Sequence, residues 1–513
     1  MTNGVDPGLK EGCSTIILQD CAGDHPHRRK AADPMKKILV LLGFLTGLAV
    51  LAVLAILLFL DINAHKPKIE TAATQALGME VKIQGKASLR LFPSVGISLA
   101  DVRLRNRGTD LAQLGVLQVS LKLFPLLRRE AEVTEFVLEK PDVQIEKGVD
   151  GKFNYETSAR GSKPAPSAPE KAAGTLFVRK SAIKEGRIRY LDRKTGSRMD
   201  LDGVNLAVTD LSLGSKQGAD ILQNLSFSGN LRVREVKTGD VSLSDIQASV
   251  KAANGIFHVR PFTMRMFGGS GQGEIEADLS KPATAVKVRY TLSNFRAEEA
   301  LSAASRKKYV SGPMTISPNL SFRGKGTEAM MRSMSGTVTL HGENLSVQGM
   351  DIDEVLSKAE ETRNLNIADV GAFLLAGPLG TAVTKGYQYG GTYAASRGES
   401  RISKLVSEWS VANGLAEARD VAFATKKHRI AIRGRLDIAG ERFVDITVAS
   451  LDGKGCAKIS QKISGPFRNP TLDKVSMLQS AAAPLMGLFE QTKKILAPGV
   501  CKPFYTGSVA APQ

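Results

Sequence analysis

Histidine, cysteine and aromatic residues are scarce in this chain of 513 residues, and each scarcity excludes something. The six histidines, His25, His27, His65, His258, His341 and His428, show no HExxH or paired-ligand spacing, so metal catalysis has no support. No Gly-Lys pair leads into Ser or Thr in Walker spacing, and no GxSxG elbow occurs. Gly268-Gly269-Ser270-Gly271-Gln272-Gly273 resembles a phosphate loop only in composition: it runs into alternating Ile275, Ala277 and Leu279 and reads as a bulged strand. Asp351-Ile352-Asp353-Glu354 opens a helical pattern, where the helix dipole accounts for acidic residues. Asp200 and Asp202 alternate along a strand and face water. No catalytic, metal or cofactor set is therefore assigned, and the chain reads as a non-enzyme.

Aromatics make up only 5%, with the single tryptophan Trp409, against 49 glycines, which fits a turn-rich β protein better than a helical bundle. Acidic residues are also outnumbered, 51 against 69 Lys and Arg, for a net charge of +18. With 42% hydrophobic and 23% charged residues, neither wholesale disorder nor a polytopic membrane protein fits.

Long apolar runs are rare too, and the one present matters. Ile38 to Leu60 is uncharged over 23 residues, which as a helix extends about 35 Å, enough to cross a bilayer core. Arg28, Arg29, Lys30, Lys36 and Lys37 precede it and Asp61 follows, so the N-terminus stays cytoplasmic and the bulk of the chain lies across the membrane. The run exceeds a signal-peptide core and reads as an uncleaved anchor. Met35-Lys36-Lys37 is how many bacterial membrane segments begin, so residues 1–34 are either a start placed too far upstream or a disordered tail. This topology puts Cys13 and Cys21 in a reducing compartment, and Cys456 and Cys501 in an oxidising one where they can pair.

Beyond the anchor, period-2 alternation dominates from about Val81 to Ile463. Leu117, Val119, Leu121 and Leu123 alternate with polar residues. So do Leu225, Phe227, Leu231 and Val233, and Val286, Val288, Tyr290 and Leu292, while Ile430, Ile432, Leu436 and Ile438 alternate with Ala431, Arg433, Arg435 and Asp437. The body is expected to be mostly antiparallel sheet with one dry face and one basic, wet face. Part of the positive charge is that wet face, where Lys and Arg discourage edge aggregation; attraction to anionic headgroups is the alternative. Nucleic acid is not expected as a partner, because no basic stripe is interleaved with stacking aromatics. Thr157 to Thr175 reads as a Pro/Ser/Ala-rich linker. Helical patterns cover Glu70–Leu77, Ala297–Ala304, Asp351–Leu375 and Met477–Leu496, the last expected to cap the sheet.

In order along the chain come LRLFPSVGISLADVRLRN (Leu89–Asn106), LEKPDVQIEKGVDGKFNYE (Leu138–Glu156), IKEGRIRYLDRKTG (Ile183–Gly196), NLSVQGMDIDEVL (Asn344–Leu356) and ISGPFRNPTLDKVSML (Ile463–Leu478). With the anchor before them, these segments resemble the AsmA family of Gram-negative envelope proteins. The resemblance implies an inner-membrane anchor and an elongated periplasmic sheet curled into an open, apolar groove. It also implies a part in phospholipid movement or outer-membrane homeostasis. The expected fold is thus mainly β with a few helices, in which an N-terminal transmembrane helix is followed by a curled antiparallel sheet.

The expected organisation is a cytoplasmic tail over 1–37, the anchor over 38–60, an N-terminal β region over 61–156 and the linker over 157–175. A main groove region follows over 176–475, then a C-terminal helix and tail over 476–513. A one-layer sheet leaves its apolar face without a partner, and acyl chains could cover it at roughly 25 cal/mol per Å². The twelve alternating residues from Leu225 to Ile438 named above are the groove candidates, and Cys456 with Cys501 the disulfide candidate. Phospholipid is the expected partner. The alternative function is an assembly adaptor that engages outer-membrane proteins through sheet edges; an envelope hydrolase ranks third for want of a nucleophile and acid pairs.

Overall fold

The computed structural model describes residues 63–90, 94–122, 133–156, 176–213, 221–305, 310–362, 398–477 and 501–512. The expected anchor, the linker over 157–175 and most of Met477–Leu496 lie outside these residues. No described helix is long and apolar enough to cross a membrane.

Helix α1 (Lys66–Leu77) carries proline in its first turn, where a missing N–H costs nothing. It ends at Gly78, whose φ of 62° supplies the left-handed cap, its N–H bonding to the Thr74 carbonyl at 2.8 Å. Ile69, Ala73 and Leu77, spaced four apart, are buried. Strands β1 (Glu80–Ile83) and β2 (Ala87–Arg90) both pair with β3 (Val95–Asn106), which continues into β4 (Thr109–Leu121) and β5 (Val133–Lys147). The next strand, β6 (Leu176–Asp192), lies parallel to β5. This departs from an all-antiparallel sheet, and the reason is topological. A parallel neighbour requires the chain to return from one end of the strands to the other, and the sequence between Lys147 and Leu176 is long enough for such a connection.

Every later pairing is antiparallel. A meander runs through β7 (Arg198–Leu213), β8 (Leu225–Thr238), β9 (Val241–Ala253), β10 (Ile256–Met266), β11 (Gly269–Asp278) and β12 (Thr284–Arg296). Helix α2 (Ala297–Ser305) and short β13 (Val310–Ser311) precede β14 (Pro313–Gly324), which pairs with β12. Helix α3 (Thr327–Ser333), unexpected from the sequence, links β14 to β15 (Ser335–Gln348). Helix α4 (Ile352–Thr362) is followed by β16 (Glu399–Ala412), β17 (Leu415–Ala424), β18 (Arg429–Arg433) and β19 (Arg435–Asp437). Then come β20 (Arg442–Leu451), β21 (Ala457–Pro466), β22 (Thr471–Leu472) and β23 (Ser476–Met477). All 23 described strands form one sheet.

Two expectations change in detail. Met477 belongs to a strand, not to the first turn of a C-terminal helix. The irregularity expected in the glycine run falls instead on its neighbour: register shifts on β10 between Val259 and Phe262, where Pro261 has no N–H to donate, while β11 pairs with β12 without a shift.

The sheet's cover differs along its length. Near α1, the row Val81, Leu104, Ala112 and Val143 joins four strands, and Val81 and Leu104 are buried. At the other end, β15 to β21 bury a large core that includes Leu405, Trp409, Phe423, Ile430, Val448 and Ile459. Helix α4 covers it with Ile352, Val355, Leu356 and Ala359, the spacing of one helical face. The opposite face there is covered as well. Residues 501–512 lay Tyr505 and Val509 on Val406, Ala422, Ala424, Ala431 and Ala449. The wet face expected along the whole sheet is therefore dry at this end, and the alanines make it so: a small side chain leaves room for a peptide laid on top.

Candidate functional site

Between these two closed ends, β8 to β14 present an apolar face that register pairing assembles into rows. One row runs Phe227, Ala252, Phe257, Ala277, Val286 and Phe322. A second runs Gly229, Val250, Val259, Ile275, Val288 and Leu320. A third runs Leu231, Ala248, Phe262, Gly273 and Tyr290, and a fourth Met264, Gly271, Leu292 and Ile316. No charged residue stands in any of them. Most of their large side chains, Phe257, Val259, Ile275, Val288 and Leu320 among them, are only half-buried.

The twelve groove candidates divide along this line. Phe227, Leu231, Val286, Val288 and Tyr290 lie half-buried on the open stretch, and Ile438 is half-buried beside the closed core. Leu225 and Val233 are 4% exposed and Leu292 3%. Ile430, Ile432 and Leu436 are 1%, 2% and 0% exposed, sealed in the core beneath α4. The candidates thus share an apolar face, and among the described residues only Phe227, Leu231, Val286, Val288, Tyr290 and Ile438 of the twelve stay half-buried.

The reverse face of that stretch is polar and laced with ion pairs. Glu276 lies 3.2 Å from Lys287 and 4.0 Å from His258; Glu274 lies 2.6 Å from Arg289 and 3.4 Å from Arg260. Upstream, Asp202 bridges Arg187 at 3.1 Å and Arg234 at 2.9 Å, and the hydrogen bond from Arg187 holds its carboxyl below the usual range. Such pairs join neighbouring strands where no other described element lies on this face to clamp them. The two faces are thus sharply opposed in chemistry: hydrocarbon on one, hydrated charge on the other.

Tyr290 breaks the apolar uniformity. Its ring lies across the glycine backbone of β11: a Cβ added at Gly271 would collide with the Tyr290 hydroxyl, and one at Gly273 with the Tyr290 ring. Phe262 leans on it, ring centroids 5.6 Å apart at 44°. Burial pushes the phenol up to about 12, so at neutral pH it is an O–H donor. The glycine run noted in the sequence is therefore a seat for this ring.

The closed end is fastened by groups that sequence reading missed. Asp353, in the first turn of α4, has its Oδ1 2.9 Å from His428 Nδ1 and accepts a hydrogen bond from Thr425 Oγ1. Glu360, two turns on, accepts from Ser450 at 2.9 Å and Lys458 at 3.1 Å, with His428 Nε2 3.8 Å away. Asp351, by contrast, caps the helix by accepting the Glu354 N–H at 2.9 Å. The helix dipole thus accounts for only part of the acidic run. A seven-residue spacing of Asp353 and Glu360 on one helical face was the available signal.

Cys456 and Cys501 are joined in a disulfide, their Cα atoms 6.2 Å apart. The bond anchors residues 501–512 where Arg429 donates to the Val509 and Asp452 carbonyls at 3.1 and 2.9 Å. Tyr505 donates to Asp420, whose other oxygen accepts the Ser508 N–H at 2.9 Å.

Residues 35–241 and 224–404 match the AsmA family. The two stretches overlap and run from just before the apolar segment into β16; Ile463–Leu478, part of the resemblance, lies beyond them. No curated protein matches the chain. Since the matched residues make up well over half of the sequence, the chain belongs to the AsmA family.

Proposed function

We propose that the chain is an inner-membrane-anchored periplasmic protein that holds or conducts phospholipid on the open apolar face of β8–β14. Family membership suggests a role in outer-membrane biogenesis or lipid transport, and the uncharged run Ile38 to Leu60 with its basic flank supports the anchor and its orientation. The observation that carries the reading is the contrast along one face. The rows of β8–β14 contain no charge and most of their large side chains stay half-buried, whereas the same face under α4 is sealed. Water against so much hydrocarbon is costly, and acyl chains would displace it at about 25 cal/mol per Å² covered. No nucleophile or acid pair is required.

Engagement of other proteins through sheet edges draws less support: among the described residues the outermost strands are β1 and β2, of four residues each, and β22 and β23, of two each, and short edge strands discourage strand addition.

Full-length protein extracted in mild detergent should carry phospholipid detectable by native mass spectrometry. Val288→Glu should remain folded and lose that lipid. Wild-type protein free of lipid, and unable to take it up from vesicles, would end the proposal.

A further inference from the structure

In the four rows that make up the open face, every residue is apolar or glycine except one: the only side-chain nitrogen or oxygen is the Tyr290 hydroxyl. That oxygen is buried and has no hydrogen-bond partner among the described residues. Phenylalanine would fill the same space without the penalty that a buried, unpaired hydroxyl carries. Packing alone therefore does not explain the hydroxyl.

Its position is equally specific. Tyr290 packs against the edge of the closed core, where the half-open face gives way to the sealed one. Beneath the ring lies the backbone of Gly271 and Gly273, so outward tipping of the ring has only its contact with Phe262 and the core edge to displace.

The surroundings restrict what the hydroxyl could meet. No Lys or Arg stands in these rows to balance a phosphate or a free carboxylate, and a desolvated anion would be strongly disfavoured. A neutral acceptor at the head of a hydrocarbon chain fits both the donor and its setting, and that description is the carbonyl of an acyl ester.

We infer that Tyr290 is a specificity residue of the open face, donating its hydroxyl to the ester carbonyl of an acyl chain that lies along β8–β12. This rests on the lipid-binding reading and adds to it a ligand requirement: an acyl ester, not merely an alkyl chain.

Diacyl and dialkyl-ether phosphatidylethanolamine of equal chain length, offered together in detergent to the full-length protein and read by native mass spectrometry, separate the two claims. Wild type should retain the ester lipid in roughly fivefold excess, the worth of one ordinary hydrogen bond. Tyr290→Phe, nearly isosteric, should bring the two lipids to parity. Equal retention by wild type, or a preference that survives Tyr290→Phe, overturns the assignment while leaving lipid binding intact. Retention of neither lipid by wild type overturns the lipid-binding reading as well.

Discussion

Two glycines of β11 that look interchangeable in sequence are not so in space. A Cβ at Gly271 would overlap the Tyr290 hydroxyl, the far end of a side chain that can move, whereas a Cβ at Gly273 would overlap the Arg289 carbonyl oxygen, which is fixed in the ladder. Gly273→Ala should therefore lower the urea unfolding midpoint clearly more than Gly271→Ala, and equal effects would contradict the placement of the ring. A second pair separates open from closed surface. Ile432, 2% exposed, has no route to water, so Ile432→Glu buries an unpaired carboxylate and should cost several kcal/mol or abolish folded protein. Val288→Glu, on a half-buried position, should cost less than about 1.5 kcal/mol because its carboxylate can reach solvent. Chemical denaturation of the two variants side by side measures the difference.

At the scale of elements, α4 is fastened through Asp353 to the Thr425–His428 turn between β17 and β18, and through Glu360 to β20 and β21. Asp353→Ala removes the carboxylate that both Thr425 and His428 contact and should lower stability by about 1–3 kcal/mol. Faster hydrogen exchange should then be confined to α4 and the Thr425–His428 turn. The C-terminal cover is fastened covalently. Replacing both Cys456 and Cys501 with serine removes a cross-link over 45 residues, worth about 4 kcal/mol on the chain-entropy argument. The first segment to lose protection should be residues 501–512, with lipid retention on β8–β14 unchanged. Charge across strands responds to pH with a definite sign. Hydrogen bonds from Arg187 to Asp202 and from Arg435 to Asp445 hold both carboxyls below their usual range in the folded chain. Their contribution is complete above the unfolded carboxylate value, near pH 4, and is lost as pH falls through the lower folded value. The thermal midpoint should therefore drop on the acid side, and less steeply in an Asp202→Asn, Asp445→Asn double variant.

Across the whole molecule, alternation in the sequence reported which side of the sheet a residue takes, but not what covers that side. Val286 and Val288 carry the same signal as Ile430 and Ile432, yet the first pair is half-exposed and the second sealed. The difference comes from α4, whose Asp353 meets His428 across 75 residues of sequence. No local pattern records a contact of that range. Ala431 was legible as outward and illegible as buried for the same reason, since its cover arrives from residues 501–512. The parallel step from β5 to β6 was hidden because a linker's composition does not say at which end of the strands the chain re-enters. The central claim concerns the open stretch, and site-specific cross-linking in cells tests it most directly. A photo-reactive side chain at Val288 should yield phospholipid adducts, while the same group at Arg289, on the charged face, and at Ile432, beneath α4, should yield none. Folded protein with no adduct at Val288, or with equal adducts at Val288 and Arg289, would contradict the account.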